Sequence, residues 1–313
     1  MGPGEYWLVA RPGTMVAIMF RLRPLVCLLP LLFAHPVAAG ELEDALYAYD
    51  HGAGSHAVEL LTPLAEAGEV KAQEALLHIY AYGEGVPPDE VLTYKWSLRA
   101  AEQGSAIGEN SVGASYGHGE AGLTKDIPEA MRWFRKAAAK GNAKAKYTLG
   151  MDYLLGRTEK ADPIMGIAYL EASADAGYER AQLLAGSLLA SGQYGVLKDD
   201  AMAVHYYELA AEKGNLGAAI LLGTHALIPP ASSGQRSEGV KWLLLAERGG
   251  CDVARPWMDM VIMQEPQTVI EGARLADEWA RSHGPRDPHV HAEDRTDGCP
   301  PAQSLLRTPS LGA

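Results

Sequence analysis

Histidines and paired acids are the side chains in this sequence that suit acid–base or metal chemistry. His205 lies in a helically patterned segment, where packing or surface exposure explains it better than a role as a base. Asp199 and Asp200 form an acidic pair, but the first stands where a helix cap is expected. His289 and His291 could grip a metal ion loosely, yet two His without a fixed third ligand make a weak site. We therefore assign no catalytic residue, no metal site and no cofactor.

Three common catalytic patterns are also absent from the sequence. No Gly-Lys pair exists, which excludes a phosphate-binding loop of the Walker type. There is no His-Glu-x-x-His zinc helix, and no Ser is followed three residues later by Lys, the spacing of one class of serine enzymes. These absences predict a protein that is not an enzyme.

The cysteines are few. Cys27 lies within an apolar run, which leaves Cys251 and Cys299 in the rest of the chain. In an oxidising compartment these two could form a disulfide that ties the tail to the last repeats. The alternative, which we favour slightly, is that Cys251 is a buried small residue and Cys299 a free thiol.

The N-terminal segment has the pattern of a secretory signal peptide. Arg21 and Arg23 precede an apolar run over residues 25–33, and small residues end at Ala39. The run is too short to span a bilayer. We expect a Sec-type signal over residues 1–39, cleaved after Ala39, and therefore an exported protein that is periplasmic or secreted.

The true start of translation is a separate question. Residues 1–14 or 1–18 form an odd prefix to a signal peptide, which points to Met15 or Met19 as the start. No second long apolar run exists, so no membrane insertion is expected once the signal is removed.

The charge balance is acidic. The net charge is −12 for the whole chain, and removing residues 1–39 takes away three Arg and one Glu, which makes it −14. A surface this acidic repels nucleic acid and anionic lipid. Acidity also keeps an exported helical protein in solution, and that reading outweighs the idea of a basic partner.

A repeat organises most of the chain. A small residue is followed four places later by a Leu-like residue, then usually by Gly, with a second Gly at the twelfth place. The pattern begins at Ala72, Gly108, Ala145, Ala181 and Ala218. Repeats of this period are typical of solenoids that are built from helix pairs.

Each unit reads as two helices. Leu149 and Tyr153 share one face of the first helix, and Gly150 inside it predicts a close approach by the partner helix. Gly ends the first helix and Asp opens the second. The second helix carries one large aromatic residue per unit, which we interpret as core packing: Trp96, Trp133, Tyr169, Tyr206 and Trp242.

This pattern resembles the Sel1-like repeat, a relative of the tetratricopeptide repeat. The match is clearest over residues 72–104, where Gly83-Glu84-Gly85-Val86 and Lys95-Trp96 fit the loop and the second helix of that family. The resemblance implies an all-α fold, an α/α right-handed superhelical solenoid of helix-turn-helix repeats. In the last unit, Pro229-Pro230 and a Ser-rich loop replace the usual Gly turn.

The expected organisation follows from the phase of the repeats. After the signal peptide we predict an N-terminal half-repeat or cap over residues 40–71, five repeats over 72–250 and degenerate capping helices over 251–282. Residues 283–313 are rich in Pro, Gly and polar side chains and read as a disordered tail. A solenoid of this size should be stable as a monomer.

The resemblance also implies a function. Members of the family act as adaptors, so we expect a non-enzymatic scaffold that binds a peptide or protein partner on its concave face, in envelope signalling or assembly. The alternative from a different class is an enzyme or small-molecule binder for cell-wall material or β-lactams, since some Sel1-like proteins have been linked to penicillin binding.

Candidate binding residues come from projecting helical spacing onto the first helices, which line the concave wall in this family. The projected positions are Lys71, Glu74, His78, Tyr82, Asn110, His118, Lys144, Tyr147, Met151, Arg180 and Leu183. Among them, Lys71, Lys144 and Arg180 form a basic line that could hold carboxylates of an acidic peptide. The alternative, slightly favoured, is that these cations pair with neighbouring Glu residues or solvate helix ends.

Overall fold

The structure is a computed structural model that describes residues 39–157, 160–228 and 231–283. The predicted signal peptide up to residue 38, Pro229-Pro230 and the tail beyond residue 283 lie outside the described residues. The predictions made for those segments therefore stay predictions.

The described part of the chain folds into fourteen α-helices and two short 3-10 helices, with no strand. The first seven helices are α1 (Ala39–Asp50), α2 (Gly54–Glu66), α3 (Val70–Tyr82), α4 (Glu90–Glu102), α5 (Ala106–His118), α6 (Ile127–Ala139) and α7 (Ala143–Leu155). The other seven are α8 (Pro163–Asp175), α9 (Glu179–Ser191), α10 (Asp200–Glu212), α11 (Leu216–Ala226), α12 (Ser233–Arg248), α13 (Arg255–Gln264) and α14 (Pro266–His283). The 3-10 helices span Gln193–Gly195 and Asp252–Ala254.

Helices pack in chain order. Each helix from α1 to α12 contacts the next helix along the chain, and α14 folds back onto α12. This sequential packing confirms the all-α class and the α/α solenoid of helix-turn-helix repeats. No helix in the described ranges is both long and apolar enough to cross a bilayer.

The second helices begin where the sequence places an Asp. The side chains of Asp89, Asp126, Asp162 and Asp199 each accept a hydrogen bond from the backbone N–H three residues later, at 2.9–3.1 Å. These bonds satisfy a donor that the first helical turn leaves free. The predicted caps are confirmed.

The first helices end on glycine in the left-handed region. Gly83, Gly119, Gly156 and Gly192 have φ between 59° and 77° and terminate α3, α5, α7 and α9. A residue with a Cβ would be strained in this conformation. The regular turn that follows brings the chain back for the second helix.

A glycine inside the first helix permits the close approach that the sequence predicts. A Cβ on Gly150 would lie 2.8 Å from Cγ of Leu170, and one on Gly186 would lie 2.7 Å from Cε1 of Tyr207. Gly113 and Gly223 meet the second helices of their own units in the same way. In all four units the contacted side chain directly follows the large aromatic residue.

Those aromatic residues do not share one environment. Trp96, Tyr206 and Trp242 are buried, which fits the packing interpretation. Trp133 and Tyr169 are only half-buried. The ammonium group of Lys136 lies 3.9 Å from the ring centroid of Trp133, and Tyr169 stacks on Tyr153 at 5.6 Å.

Most buried apolar residues of the described chain form three clusters. The first runs from Ala45 to Trp96, the second from Ala130 to Leu149 and the third from Leu154 to Val261, with Ala276 buried beyond it. Helix α5 lies between the first and second clusters and contributes no fully buried member to either.

Candidate functional site

The predicted binding residues all lie at the surface or partly at the surface. Lys71, His118 and Arg180 are exposed, and the other eight are half-buried. None of them is fully buried in the core, so the helical spacing correctly placed them on accessible faces. The structure does not gather them into a single cluster, however.

The first helices of units one and three meet at one point. The Nζ of Lys144 lies 3.4 Å from the hydroxyl of Tyr82, although the two residues are 62 positions apart in sequence. Tyr82 in turn stacks on His78, with ring centroids 5.8 Å apart. Long side chains from the C-terminal end of α3 and the N-terminal end of α7 therefore reach one another.

A pocket of about 630 Å³ lies beside this point, between α5, α6 and α7. We call it the α5–α7 groove. Three of the predicted residues line it: Asn110, His118 and Lys144. A volume of this size is within the range of ligand-binding clefts, roughly 300–1,000 Å³.

The floor of the groove is apolar and comes from α6. Met131 and Phe134 are buried and face the pocket, with Ile127 at its edge. Of the described helices, α6 is the most amphipathic, with apolar residues at helical spacing and charged residues opposite. Its apolar face serves both the core and the floor of the groove.

The rim of the groove carries positive charge. Lys125 reaches it from the loop before α6, Lys144 from the start of α7 and Arg157 from just beyond the end of α7. One buried carboxylate, Asp152, also lines it. Among the described lining residues, basic side chains thus outnumber acidic ones, in a chain whose net charge is −12.

One polar atom of the groove has no partner among the described residues. The Oδ1 of Asn110 is buried and receives no hydrogen bond there. A buried acceptor without a donor is uncommon, because no hydrogen bond offsets the free-energy cost of its desolvation. Asn110 projects from the middle of α5, the helix that forms one wall of the pocket.

Comparison with known proteins gives the repeat its name. The Sel1 repeat matches four consecutive segments, residues 72–105, 106–142, 143–178 and 180–215. The repeat region belongs to the Sel1 repeat family. The predicted fifth unit corresponds to α11 and α12, which lie beyond the matched segments.

A solved structure supports this assignment. The Sel1 repeat protein from Oxalobacter formigenes superposes with a TM-score of 0.61 and 25% identity, over 77% of this chain and 98% of that one. The Sel1 fold is a non-enzymatic repeat scaffold, and Sel1 repeat proteins bind proteins.

Two curated relatives share the repeats. An exopolysaccharide production negative regulator of Rhizobium leguminosarum bv. viciae is 28% identical over 45% of this chain and 58% of its own length. A chitin synthase regulator of Saccharomyces cerevisiae is 26% identical over 63% of this chain and 30% of its own length. The aligned part therefore spans less than two thirds of either relative.

The other flank of α7 in the third Sel1 repeat is more apolar. Tyr147 packs edge-on against Tyr178 at 5.3 Å, and Met151 and Leu183 pack against the large C-terminal core cluster. Burial raises the pKa of Tyr147, while the charges of Arg180 and Arg157 partly oppose that rise. Arg180 thus lies close enough to Tyr147 to affect its pKa.

The remaining predicted residues lie away from the groove. The carboxylate of Glu74 accepts a hydrogen bond of 2.5 Å from Ser105, the N-cap of α5, which gives it a structural contact. Lys71 is exposed in the first turn of α3 and does not line the pocket. The groove therefore joins Lys144 with Lys125 and Arg157, rather than with Lys71 and Arg180.

Sequence reasoning missed several residues of the groove. From α7 the lining residues are Lys144, Thr148 and Asp152, spaced by four, whereas the projection followed Lys144 with Tyr147 and Met151. Lys125 and Arg157 come from loops, where helical spacing says nothing. The i, i+4 register of polar residues after Lys144 was a signal that could have found two of them.

The expectation that the sequence contains no Gly-x-Ser-x-Gly motif is wrong. Residues 113–117 read Gly-Ala-Ser-Tyr-Gly, the spacing of a nucleophile elbow, which requires a sharp turn between a strand and a helix. Ser115 instead lies inside α5 and is 2% exposed. The spacing arises from the repeat glycines and carries no catalytic geometry.

The side chains that could bind a metal ion or form a disulfide fall partly within the described residues. No group of three His, Cys, Asp or Glu is positioned to hold a metal ion within the described ranges, and His289 and His291 fall outside them. Cys251 is fully buried and disulfide-bonded. Cys299, the partner suggested by the sequence, is also outside the described residues, so that pairing stays a prediction.

Proposed function

We propose that this Sel1 repeat protein is an adaptor that docks a segment of a protein partner in the α5–α7 groove. The observation that carries the proposal is the pocket of about 630 Å³ with a buried apolar floor and a charged rim. An apolar floor supplies affinity by burial, and a polar rim fixes orientation.

The names of the two curated relatives support the proposal that this protein regulates the partner that it binds. Both are called regulators, one of exopolysaccharide production and one of chitin synthase. A scaffold without catalytic groups regulates by holding another protein, and the groove with its apolar floor supports such a role for this chain. We extend this to an exported adaptor in envelope signalling or assembly.

Site-specific cross-linking in cells tests the docking proposal. A photo-reactive amino acid replaces Thr148, which lines the groove, and in the matched control it replaces Leu197, which is 87% exposed in the loop before α10. We expect a discrete adduct from position 148 that is absent at position 197. Identical adducts from both positions, or none from 148, would place the partner elsewhere.

The exported location has its own test. Cell fractionation followed by N-terminal sequencing should find a mature chain that starts at Gly40 outside the cytoplasm. An intact N-terminus in the cytoplasmic fraction would remove the envelope part of the proposal and leave the docking part standing.

A further inference from the structure

Helix α13 carries apolar side chains on its exposed side as well as on its buried side. Met258 and Val261 are buried. Met260, Ile262 and Met263 are 37%, 48% and 86% exposed. A helix that is apolar all round is normally buried, whereas the exposed residues of the next helix, α14, are mostly polar or charged, as solubility requires at the end of a solenoid. The exposed side of α13 therefore has the composition of a contact surface.

Four residues form this exposed side, which we call the α13 face: Asp259, Met260, Ile262 and Met263. Met260 and Met263 are three positions apart on the helix, and Asp259 and Met263 are four apart, so their side chains are neighbours. The face thus presents three apolar side chains around one carboxylate. A segment with apolar side chains next to a cation would complement it.

A disulfide lies directly before this face. Cys251 is fully buried and disulfide-bonded, and its N–H donates to the carbonyl of Ala246 in the last turn of α12 at 3.0 Å. The other two cysteines of the sequence are Cys27 and Cys299. Because Cys27 falls within the predicted signal peptide, Cys299 is the partner that a processed chain retains. The residue bonded to Cys251 is held a few residues before the start of α13.

The end of α14 lies near the same point. Arg248, in the last turn of α12, forms an ion pair of 2.7 Å with Asp277 of α14, and Cys251 follows three positions later. The six helical positions from Asp277 to His283 span only about 9 Å. Cys299 lies sixteen positions beyond His283, and an extended chain of that length reaches roughly 50 Å. The two cysteines can therefore meet without any change in the described helices.

We infer that the α13 face docks residues 300–313 of the same chain, which a disulfide between Cys251 and Cys299 holds next to it. A tethered segment has a high local concentration, so a small contact is enough to keep it in place. The inference concerns a second surface. The α13 face shares no residue with the α5–α7 groove, and the docking function proposed for the groove does not depend on it.

The segment has the composition that the face requires. Leu305 and Leu306 are adjacent apolar residues, and Arg307 follows them. Burying the leucines against Met263 removes apolar surface from water, and the guanidinium group of Arg307 is opposite in charge to the carboxylate of Asp259. Leu305 comes six positions after the tethered cysteine, roughly 20 Å of extended chain, and α13 is about 15 Å long. The segment is therefore long enough to lie along the face.

Peptide mapping of the purified protein without reduction tests the tether. We expect one linked pair that joins the peptide of Cys251 to the peptide of Cys299. A free thiol at Cys251, a bond to Cys27 or a bond between two protein molecules would overturn the tether.

Oxidation by dilute hydrogen peroxide tests the docking, because an accessible methionine is converted to its sulfoxide faster than a covered one. Met263 is 86% exposed on the described helix, whereas Met165, in the first turn of α8, is 40% exposed. An uncovered Met263 should therefore react faster than Met165, and a docked segment should reverse that order. Mass spectrometry of the two peptides measures both rates in one sample.

Substitutions in the segment identify what covers the face. Leu305→Asp combined with Leu306→Asp should speed the oxidation of Met263 several-fold and leave the reference methionine unchanged. Val290→Asp, a matched substitution that precedes the tethered cysteine, should change neither rate. Cys299→Ser keeps the leucines but removes the tether, so it should also speed the oxidation of Met263, and no change would overturn the role of the disulfide.

Two results would overturn the docking of this segment. The first is a Met263 that reacts faster than Met165 in the unaltered protein. The second is slow oxidation of Met263 that survives the double leucine substitution, and a rate that then rises on dilution would assign the cover to a second copy of the chain. Neither result bears on the α5–α7 groove, whose function is decided by the cross-link at position 148.

Discussion

At the scale of single residues, the contact between Glu109 and Lys140 shows how one side chain joins two repeats. The Nζ of Lys140 lies 2.8 Å from the carboxylate of Glu109 and donates to the carbonyl of Gly104 at 2.9 Å. Lys213 makes the corresponding bond to Gly177, at 2.7 Å, two repeats further on. A cation at the carbonyl end of the preceding second helix is favoured by the helix dipole.

Replacing Lys140 alone should lower the free energy of unfolding more than replacing both Lys140 and Glu109. Glu109 is 5% exposed, so Lys140→Met leaves a buried carboxylate without its cation and should cost about 1–3 kcal/mol. Adding Glu109→Gln removes the buried charge and should recover part of that loss. Urea unfolding of both variants and of Glu109→Gln measures the coupling, and additive losses would contradict it.

Glu171 gives a pH-dependent prediction. Burial raises its pKa above the ordinary value, and the charges of Asp175 and Asp199 add to the rise. The folded state therefore holds this proton more tightly than the unfolded chain, so the stability is full below the ordinary pKa and falls as the pH rises through the folded pKa.

A neutral side chain at position 171 should remove that penalty. Glu171→Gln is expected to raise the melting temperature by about 1–2 °C at pH 7 and to have no such benefit near pH 4. The exposed Glu208→Gln, on α10, serves as the control. A gain that is equal at both pH values would show that the charge of Glu171 is not its cause.

At the scale of helices, the glycine in the middle of the first helix decides how closely a pair can pack. Gly150→Ala improves intrinsic helix propensity but places a Cβ 2.8 Å from Cγ of Leu170 and 3.0 Å from the carbonyl of Gly166. The cost of overpacking should outweigh the gain in helix propensity, with a net loss of about 1–3 kcal/mol in the free energy of unfolding.

The control for this substitution is a helical glycine with open space. A Cβ on Gly234, in the first turn of α12, would meet nothing within 4 Å, so Gly234→Ala should be neutral or gain up to about 1 kcal/mol. Thermal unfolding compares the two. Equal effects of both substitutions would mean that close packing at Gly150 is not limiting.

Local rules explain which features the sequence could predict. Asp126 caps its helix and Gly119 ends the preceding one because each depends on a few neighbouring backbone groups. The lateral register of α7 depends on how neighbouring helices are inclined, which one helix does not encode. The groove therefore takes Thr148 and Asp152 where the projection took Tyr147 and Met151.

At the scale of the whole molecule, α5 contributes little buried apolar side chain to the core. The buried residues of α5 are Gly108, Glu109, Val112, Gly113 and Ser115, which supply only one sizeable apolar side chain. Helix α9, at the same place in its repeat, buries Leu184, Leu188 and Leu189. Repeat proteins are stabilised by each unit and its neighbours, so a weak unit can open by itself.

Hydrogen exchange should therefore be uneven along the chain. We expect amides of α5 to exchange about tenfold faster than those of α9, since about 1.4 kcal/mol suffices for that ratio and each helical Gly costs about 1 kcal/mol. Mass spectrometry of peptides from residues 106–118 and 179–191 measures this. Uniform exchange would show that the repeats open together.

Substitutions at two glycines of α5 test whether the local stability of this helix affects binding in the groove. A Cβ on Gly117 would lie 3.7 Å from that of Ala130, an ordinary contact, whereas one on Gly113 would lie 2.9 Å from the ring of Phe134. Gly117→Ala should thus slow exchange in α5 by up to about fivefold, and Gly113→Ala should speed it.

Because Asn110 and Gly117 both line the groove, a bound peptide must order the same helix. Gly117→Ala therefore lowers that ordering cost and should tighten peptide binding, and a variant that slows exchange without tightening binding would uncouple α5 from the groove.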